Sequence, residues 1–367
     1  MKRIGGLILM IGLILGAAQP TWAEQELDGK YMTLRDGGGR VVCRTAHRAV
    51  IGDRYLAGDN RLYQVYQVKG LEAKLKLVRR EKTGRNWLSR AQSFGDGISD
   101  LIQGKVNAKG PIGIYHTHTD ESYNPTDGVS SKKSRGGVMD VGDSLAKAFE
   151  KNGVPVVHNQ TLNNPHDAMA YDRSRRTAAQ LLRQRPTALL DVHRDAVPRQ
   201  EYATVIGGRG VTKVQLVVGR ENPNFQATND FARRIKTVVD RKCPGLIKGI
   251  FYGKGKYNQD LTPRTILLEF GSNTNSKESA ERSAAIFAAA AKDALYGAAG
   301  MGIAGRGSWR SLFWIIVAAV GGTALFLLMN RSGFKDMAKE FTGAVGEDQV
   351  KSDQTENQGK ERHGDSP

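Results

Sequence analysis

The stretch Ile112-Gly113-Ile114-Tyr115-His116-Thr117-His118-Thr119-Asp120-Glu121-Ser122-Tyr123 decides how this chain is read. An apolar run leads into two histidines, and two acids follow at once. α/β proteins commonly build metal or acid/base sites from strands that end in imidazole and carboxylate, because ligands collect outside the carboxyl ends of the strands. The expectation is a strand over 111–117 whose end supplies half of a zinc site.

The same pattern recurs twice downstream. Thr187 to Val192 reads as a strand delivering Asp191-Val192-His193-Arg194-Asp195, and Thr265 to Phe270 as one delivering Glu269 ahead of Gly271-Ser272-Asn273. Val138, Val141, Leu145, Ala148 and Phe149 are spaced for one helix face, closed by Asn152-Gly153. Val154 to His158 and Val214 to Gly219 read as further strands. Ser174 to Arg185, stopped by Pro186, Asn224 to Lys242 and the Ala-rich Ser276 to Leu295 read as helices. Strands alternating with helices of this length predict an α/β domain over 111–298, with a mainly parallel sheet flanked by helices on both faces.

Two imidazoles and a carboxylate make a catalytic zinc site with one position left for water. A further carboxylate beside that water can pass protons to a departing amine. Residues two apart on a strand face the same side, so His116 and His118 could both reach a metal. The strand is expected to end near Thr117, however, and Glu121, three residues after His118, shares one face of a helical turn with it. The preferred ligands are therefore His118, Glu121 and His193, with His116 as an orienting or substrate group. Arg194 is a candidate for a substrate carboxylate, while Asp191 and Asp195 read as structural. A lone histidine at a strand end is usually a polar terminator; three such ends in one domain favour a site. His158 and His166, in a loop rich in Asn and Pro, read as non-ligands. His47, among basic residues, reads as a surface side chain, and Gly207 to Gly210 as a hairpin turn.

Residues 24–85 hold short alternating runs broken by Gly and Asp-Gly, which predicts a small β-rich domain. A polar linker, 86–110, separates it from the α/β domain. The two cysteines, Cys43 and Cys243, imply no disulfide framework and no cysteine metal site. The formal charge of +17 over 367 residues favours polyanions: nucleic acid, anionic lipid or anionic wall polymer. Location decides among these. Lys2 and Arg3 precede an apolar run from Ile4 to Ala18, and Thr21-Trp22-Ala23 offers a cleavage site, so 1–23 read as a secretory signal peptide. Leu312 to Met329 is an uncharged apolar run flanked by Trp309, Arg310 and Arg331. A stretch of about 18 residues is long enough for one transmembrane helix. The expectation is a Gly-rich hinge (299–310), a membrane span (311–330) and a disordered cytoplasmic tail (331–367), with the catalytic domain outside the membrane. Nucleic acid drops out as a partner on that reading.

Several ordered motifs also carry a resemblance. His116-Thr-His-Thr-Asp-Glu-Ser-Tyr123, Tyr171-Asp-Arg-Ser-Arg-Arg176, Asp191-Val-His-Arg-Asp-Ala196, Cys243-Pro-Gly-Leu246, Tyr257-Asn-Gln-Asp-Leu261 and Leu268-Glu-Phe-Gly-Ser-Asn273 resemble the stage II sporulation protein P family over about 111–297. The resemblance implies a zinc-dependent N-acetylmuramoyl-L-alanine amidase, which cuts the amide between the muramic acid lactyl group and the L-alanine of the peptidoglycan stem peptide. By position it makes His118, Glu121 and His193 the zinc ligands and Glu269 the catalytic carboxylate, with Asn258 and Gln259 near the site. It also implies a lytic transglycosylase and a membrane scaffold as partners in sporulation-type wall remodelling. Three features depart from the family pattern: the C-terminal anchor, the N-terminal β segment, and Cys243 where Tyr is usual. Two alternatives stand beside this reading: a zinc peptidase on stem-peptide cross-links, and a non-catalytic wall-binding scaffold.

Overall fold

The strand ends meet in a single mixed sheet. The computed structural model describes residues 26–27, 29–81, 110–167 and 169–296. The segments read as signal peptide, hinge, membrane span and tail, and nearly all of the linker, lie outside the described residues. Among the described residues no helix is long and apolar enough to cross a membrane. Thirteen described strands run β1 Met32–Arg35, β2 Val41–Thr45, β3 Arg54–Ala57, β4 Arg61–Lys69, β5 Glu72–Arg80, β6 Ile112–Tyr115, β7 Val156–His158, β8 Ala188–Asp195, β9 Ala203–Ile206, β10 Arg209–Thr212, β11 Val214–Gly219, β12 Ile247–Gly253 and β13 Thr265–Ser272. The helices are α1 Asn124–Asp127, α2 Val138–Lys151, α3 Ala170–Leu182, α4 Phe225–Lys242 and α5 Lys277–Tyr296. Eleven strands form one sheet in the order β2-β1-β5-β4-β3-β12-β11-β13-β8-β6-β7, and β9 and β10 form a separate hairpin turning at Gly207-Gly208.

From β12 to β7 the sheet is parallel except for the antiparallel β11–β13 pair, close to expectation. The segment read as a separate β-rich domain is instead part of this sheet. β3 pairs antiparallel with β12, Leu56 opposite Ile250 and Ala57 opposite Gly249, and the described residues all fall in one compact unit. β12 itself has no clear signal in the sequence, because Lys248, Gly249 and Gly253 interrupt its apolar run. Gly249 explains the seam. A Cβ there would lie 2.6 Å from the Leu56 carbonyl oxygen and 2.6 Å from the Tyr55 phenol, so only glycine lets β3 approach.

Alternation along the strands sorts the two faces. Ile112, Ile114, Leu190, Val192, Leu216, Ile250, Ile266 and Leu268 pack with the apolar sides of α2, α4 and α5 in the main core. On α2 that side is Val138, Val141, Leu145 and Phe149, as the spacing predicts. The opposite face is not covered by helices alone. Tyr115 and Leu189 meet Ala178 and Leu181 of α3, whereas Val217, Phe251 and Leu267 meet Met32, Leu34, Cys43, Tyr55 and Tyr63 of the N-terminal strands. The sheet therefore curls until β2 lies over its own far half, fixed there by Ala46 N–H donating to Asp195 Oδ1 at 2.8 Å and Lys248 Nζ donating to the Arg44 carbonyl at 2.8 Å. The seam between α3 and these strands is where the candidate site sits.

Candidate active site

β6 ends at Tyr115, and the chain is pinned to the end of β8 just beyond it. Thr117 donates its N–H (2.8 Å) and its hydroxyl (2.6 Å) to the two oxygens of Asp191. The loop then turns back, and Tyr123 O–H reaches the Phe270 carbonyl on β13 at 2.9 Å. One loop thus spans all three strand ends named by the sequence.

Glu121 is the centre. Its Oε1 lies 3.1 Å from His118 Nδ1 and 3.2 Å from His193 Nδ1, and its Oε2 accepts the Arg194 N–H at 2.9 Å. All four residues are buried. Burial, and then the nearby His166, push the His118 imidazole down to about 4, so the ring is neutral at ordinary pH. Burial also works to lower His193, but the Asp191 and Glu121 carboxylates prevail and hold it well above the usual histidine value. Burial alone would raise Glu121; the charges of His193 and Arg194 hold it well below the carboxylate range. Asp191 Oδ1 is 3.0 Å from His193 Nε2 without the alignment of a hydrogen bond, leaving that nitrogen buried and unpartnered.

The donor chemistry fits a divalent cation such as zinc, which would replace the proton shared among these groups. The ligand atoms of His118, Glu121 and His166 all lie within 4.8 Å of one another. His166 is the departure from expectation. Its ring stacks on that of His118 at 3.8 Å, and its Nδ1 lies 3.2 Å from Asp120 Oδ1. Sequence spacing cannot reveal this, because Asp120 and His166 are 46 positions apart, with α1, α2 and β7 between them.

Glu269 pairs across β13–β8 with His193 and across β13–β11 with Gln215, so its side chain shares their face of the sheet. It is fully buried, and burial pushes its carboxyl up to about 7 against the opposing pull of His47. His47 is not the surface residue that its neighbours suggest. It is 2% exposed, its Nε2 is 2.9 Å from Glu269 Oε1, and its ring stacks on Phe251 at 5.6 Å. The fold-back of β2 over the sheet brings it there.

A family model described as Stage II sporulation protein P (SpoIIP) matches residues 66–292. The chain belongs to this family. Stage II sporulation protein P of Bacillus subtilis (strain 168) is 34% identical over 190 residues, 47% of each chain, so the present chain spans about half the length of that curated relative. Among solved structures, the N-acetylmuramyl-L-alanine amidase Ami1 of Mycobacterium smegmatis matches 52% of this chain and 100% of its own, at 14% identity and a TM-score of 0.36. The CwlD amidase of Clostridioides difficile, solved in complex with the GerS lipoprotein, matches 51% and 94%, at 16% identity and a TM-score of 0.32. At that level of likeness nothing of their sites transfers to this SpoIIP chain.

The remaining residues of this SpoIIP site hold the frame. His116 sits on the α2 side, away from Glu269. Its Nδ1 meets the Val192 carbonyl at 2.8 Å and its Nε2 meets His158 Nε2 at 2.9 Å. Space for this comes from Gly142, where a Cβ would lie 2.5 Å from His116 Nε2. The strand stops before His116, so the two-residue alternation does not carry it to His118's position. Asn258 gives its amide to the Tyr171 carbonyl (2.9 Å) and Ser174 Oγ (3.0 Å). Gln259 clasps β11, donating to the Val217 carbonyl at 2.9 Å and accepting the Gly219 N–H at 2.9 Å. Asp191 and Asp195 are structural, as expected: Asp195 also accepts the Tyr202 hydroxyl at 2.9 Å.

Proposed function

We propose that this chain is a zinc-dependent peptidoglycan amidase, cleaving the bond between the lactyl group of N-acetylmuramic acid and the L-alanine of the stem peptide. The observation that carries the reading is the clasp of His118 and His193 on one oxygen of Glu121, with Glu269 paired to His193 on the adjacent strand. Membership of the SpoIIP family supports it. His118, Glu121 and His193 would hold the metal, and His166, whose ligand atom lies within 4.8 Å of those of His118 and Glu121 in a group that leaves out His193, is placed to take the third position instead. Zinc bound there supplies an acidified water and a Lewis acid for a carbonyl oxygen. Glu269 takes the proton from the water and delivers it to the departing amine. Its burial favours the protonated form between those steps. Asp191 keeps the ends of β6 and β8 in register, so that His118 and His193 converge.

The basic chain would act outside the membrane on anionic wall material, tethered by the C-terminal apolar run, with a transglycosylase and a membrane protein as partners. Digestion of purified peptidoglycan with the purified chain, with and without chelator, tests the chemistry. Free stem peptides that vanish on chelation are expected. Opened cross-links with intact lactyl amides would replace the amidase by a zinc peptidase, and a metal-loaded chain that binds wall without any product would leave a scaffold. Glu269→Gln is expected to lower kcat by about 10²–10⁴-fold while keeping the metal.

A further inference from the structure

Arg194 is 4% exposed at the carboxyl end of β8. Its Nη1 donates to Glu26 Oε2 at 3.0 Å, its Nη2 to the Ser130 carbonyl at 3.2 Å, and its Nε is buried with no partner. The other carboxylate in ion-pair reach among the described residues is Glu121, 3.8 Å away and already shared by two imidazoles. A buried guanidinium left without an anion is strongly destabilising, and its planar fork matches a carboxylate better than any other common anion short of phosphate. Glu26 supplies that carboxylate now, with His166 Nε2 3.7 Å from the same oxygen.

Glu26 and Leu27 pair with the residues just past β2. Glu26 makes an isolated bridge with His47, and Leu27 N–H donates to the Ala46 carbonyl at 2.9 Å. His47, the partner in that bridge, is the residue seated on Glu269. His47 thus covers the candidate catalytic carboxylate while its bridge partner Glu26 covers the guanidinium.

We propose that Arg194 forms a carboxylate-binding subsite beside the candidate metal ligands, that its ligand is a carboxylate of an acidic peptide, and that Glu26 occupies it as an internal competitor. The identification of that peptide with a wall stem peptide rests on the proposed function; the binding of a carboxylate does not. Substrate entry then requires the Glu26 carboxylate to leave Arg194, freeing the residue whose neighbour Leu27 is held to Ala46.

The test uses the full chain, stripped of metal, titrated calorimetrically with N-acetyl-D-glutamate and with its uncharged diamide. Glu26→Gln is expected to bind the acid about tenfold or more tightly than the parent, the factor by which a competitor present nine-tenths of the time raises an apparent dissociation constant. Neither protein should bind the diamide, and Glu26→Gln combined with Arg194→Gln should bind neither compound. Equal affinity in parent and Glu26→Gln, or binding that survives in the double variant, overturns the subsite. Glu26→Ala replaces Glu26→Gln if circular dichroism shows that the latter does not fold. In the parent itself, excess acid should speed hydrogen exchange of the Leu27 amide; unchanged exchange at saturation overturns the competition. Neither readout involves bond cleavage. A chain that binds carboxylates this way but frees no stem peptide overturns the amidase reading alone, and one that digests wall with unchanged carboxylate affinity overturns the subsite alone.

Discussion

Gly249→Ala adds one methyl group at the seam between the N-terminal strands and the rest of the sheet. The new Cβ would stand 2.6 Å from the Leu56 carbonyl oxygen and 2.6 Å from the Tyr55 ring and hydroxyl. Leu56 O belongs to a paired strand and cannot swing aside, so β3 must retreat from β12. Overpacking of this kind costs about 1–3 kcal/mol. Retreat also pulls the Tyr55 hydroxyl from the Lys248 carbonyl, now at 3.0 Å, for about 1 kcal/mol more. The total, about 2–4 kcal/mol, corresponds to a melting midpoint lower by about 4–16 °C in a unit of this size. Thermal unfolding followed by far-ultraviolet circular dichroism measures it. Gly37→Ala is the control, since a Cβ there meets nothing within 4 Å. If Gly249→Ala stays within about 0.5 kcal/mol of the parent, the range of an ordinary surface change, the N-terminal strands are not part of the same sheet and the covering of Glu269 by His47 has no structural basis.

Metal analysis of the purified chain is expected to give about one zinc per molecule, the ratio for a single site of three protein ligands with one open position. His118→Ala and Glu121→Gln should abolish retention on dialysis, and His166→Ala shows by its loss or retention whether that ring is a ligand. Asp127 accepts the Tyr123 N–H at 3.0 Å and pairs with Lys277 at 3.0 Å. Burial tends to raise its carboxyl, but these bonds win and hold it below the usual value. Its contribution is therefore complete above the unfolded carboxylate value and lost as pH falls through the lower folded one. Melting midpoints of Asp127→Asn should lie below the parent at neutral pH and converge with it only in acid; a constant gap down to the lowest pH would contradict the assignment. Cys43 is fully buried, which pushes its thiol up to about 11, while Cys243 is partly exposed. A thiol reagent at mildly alkaline pH should titrate one cysteine in the native chain and two after unfolding; two fast thiols in the native chain would contradict the burial of Cys43.

What the sequence made legible follows the range of the interactions involved. β6, β8 and β13 are short strands whose apolar runs lead directly into His116, His193 and Glu269, so pattern and chemistry coincide within ten residues, and the structure brings Glu121, His193 and Glu269 together. α2 was equally plain, because its buried residues repeat at helical spacing and Asn152-Gly153 stops it. β12 was not, since its glycines are there for β3 to approach, and that demand is visible only once the two strands are side by side. The largest misreading follows from the same fact. The β structure expected over 24–85 is found as five strands between Met32 and Arg80, but nothing local shows that these strands cover part of one face of the sheet in place of helices. Once they do, the residues just past β2 and the segment bridged to them take on a new meaning. Ala46 donates its N–H to Asp195, His47 caps Glu269, and Glu26 reaches Arg194 through its bridge to His47. His47 and Glu269 are 222 positions apart, and the histidine has no metal-ligand spacing to any neighbour. A residue that works by covering a site, unlike one that holds a metal with its sequence neighbours, has a partner set by topology alone. The half of this site built from strand ends could be read from residue type and spacing, whereas the half built from the N-terminal segment required the curl of the sheet.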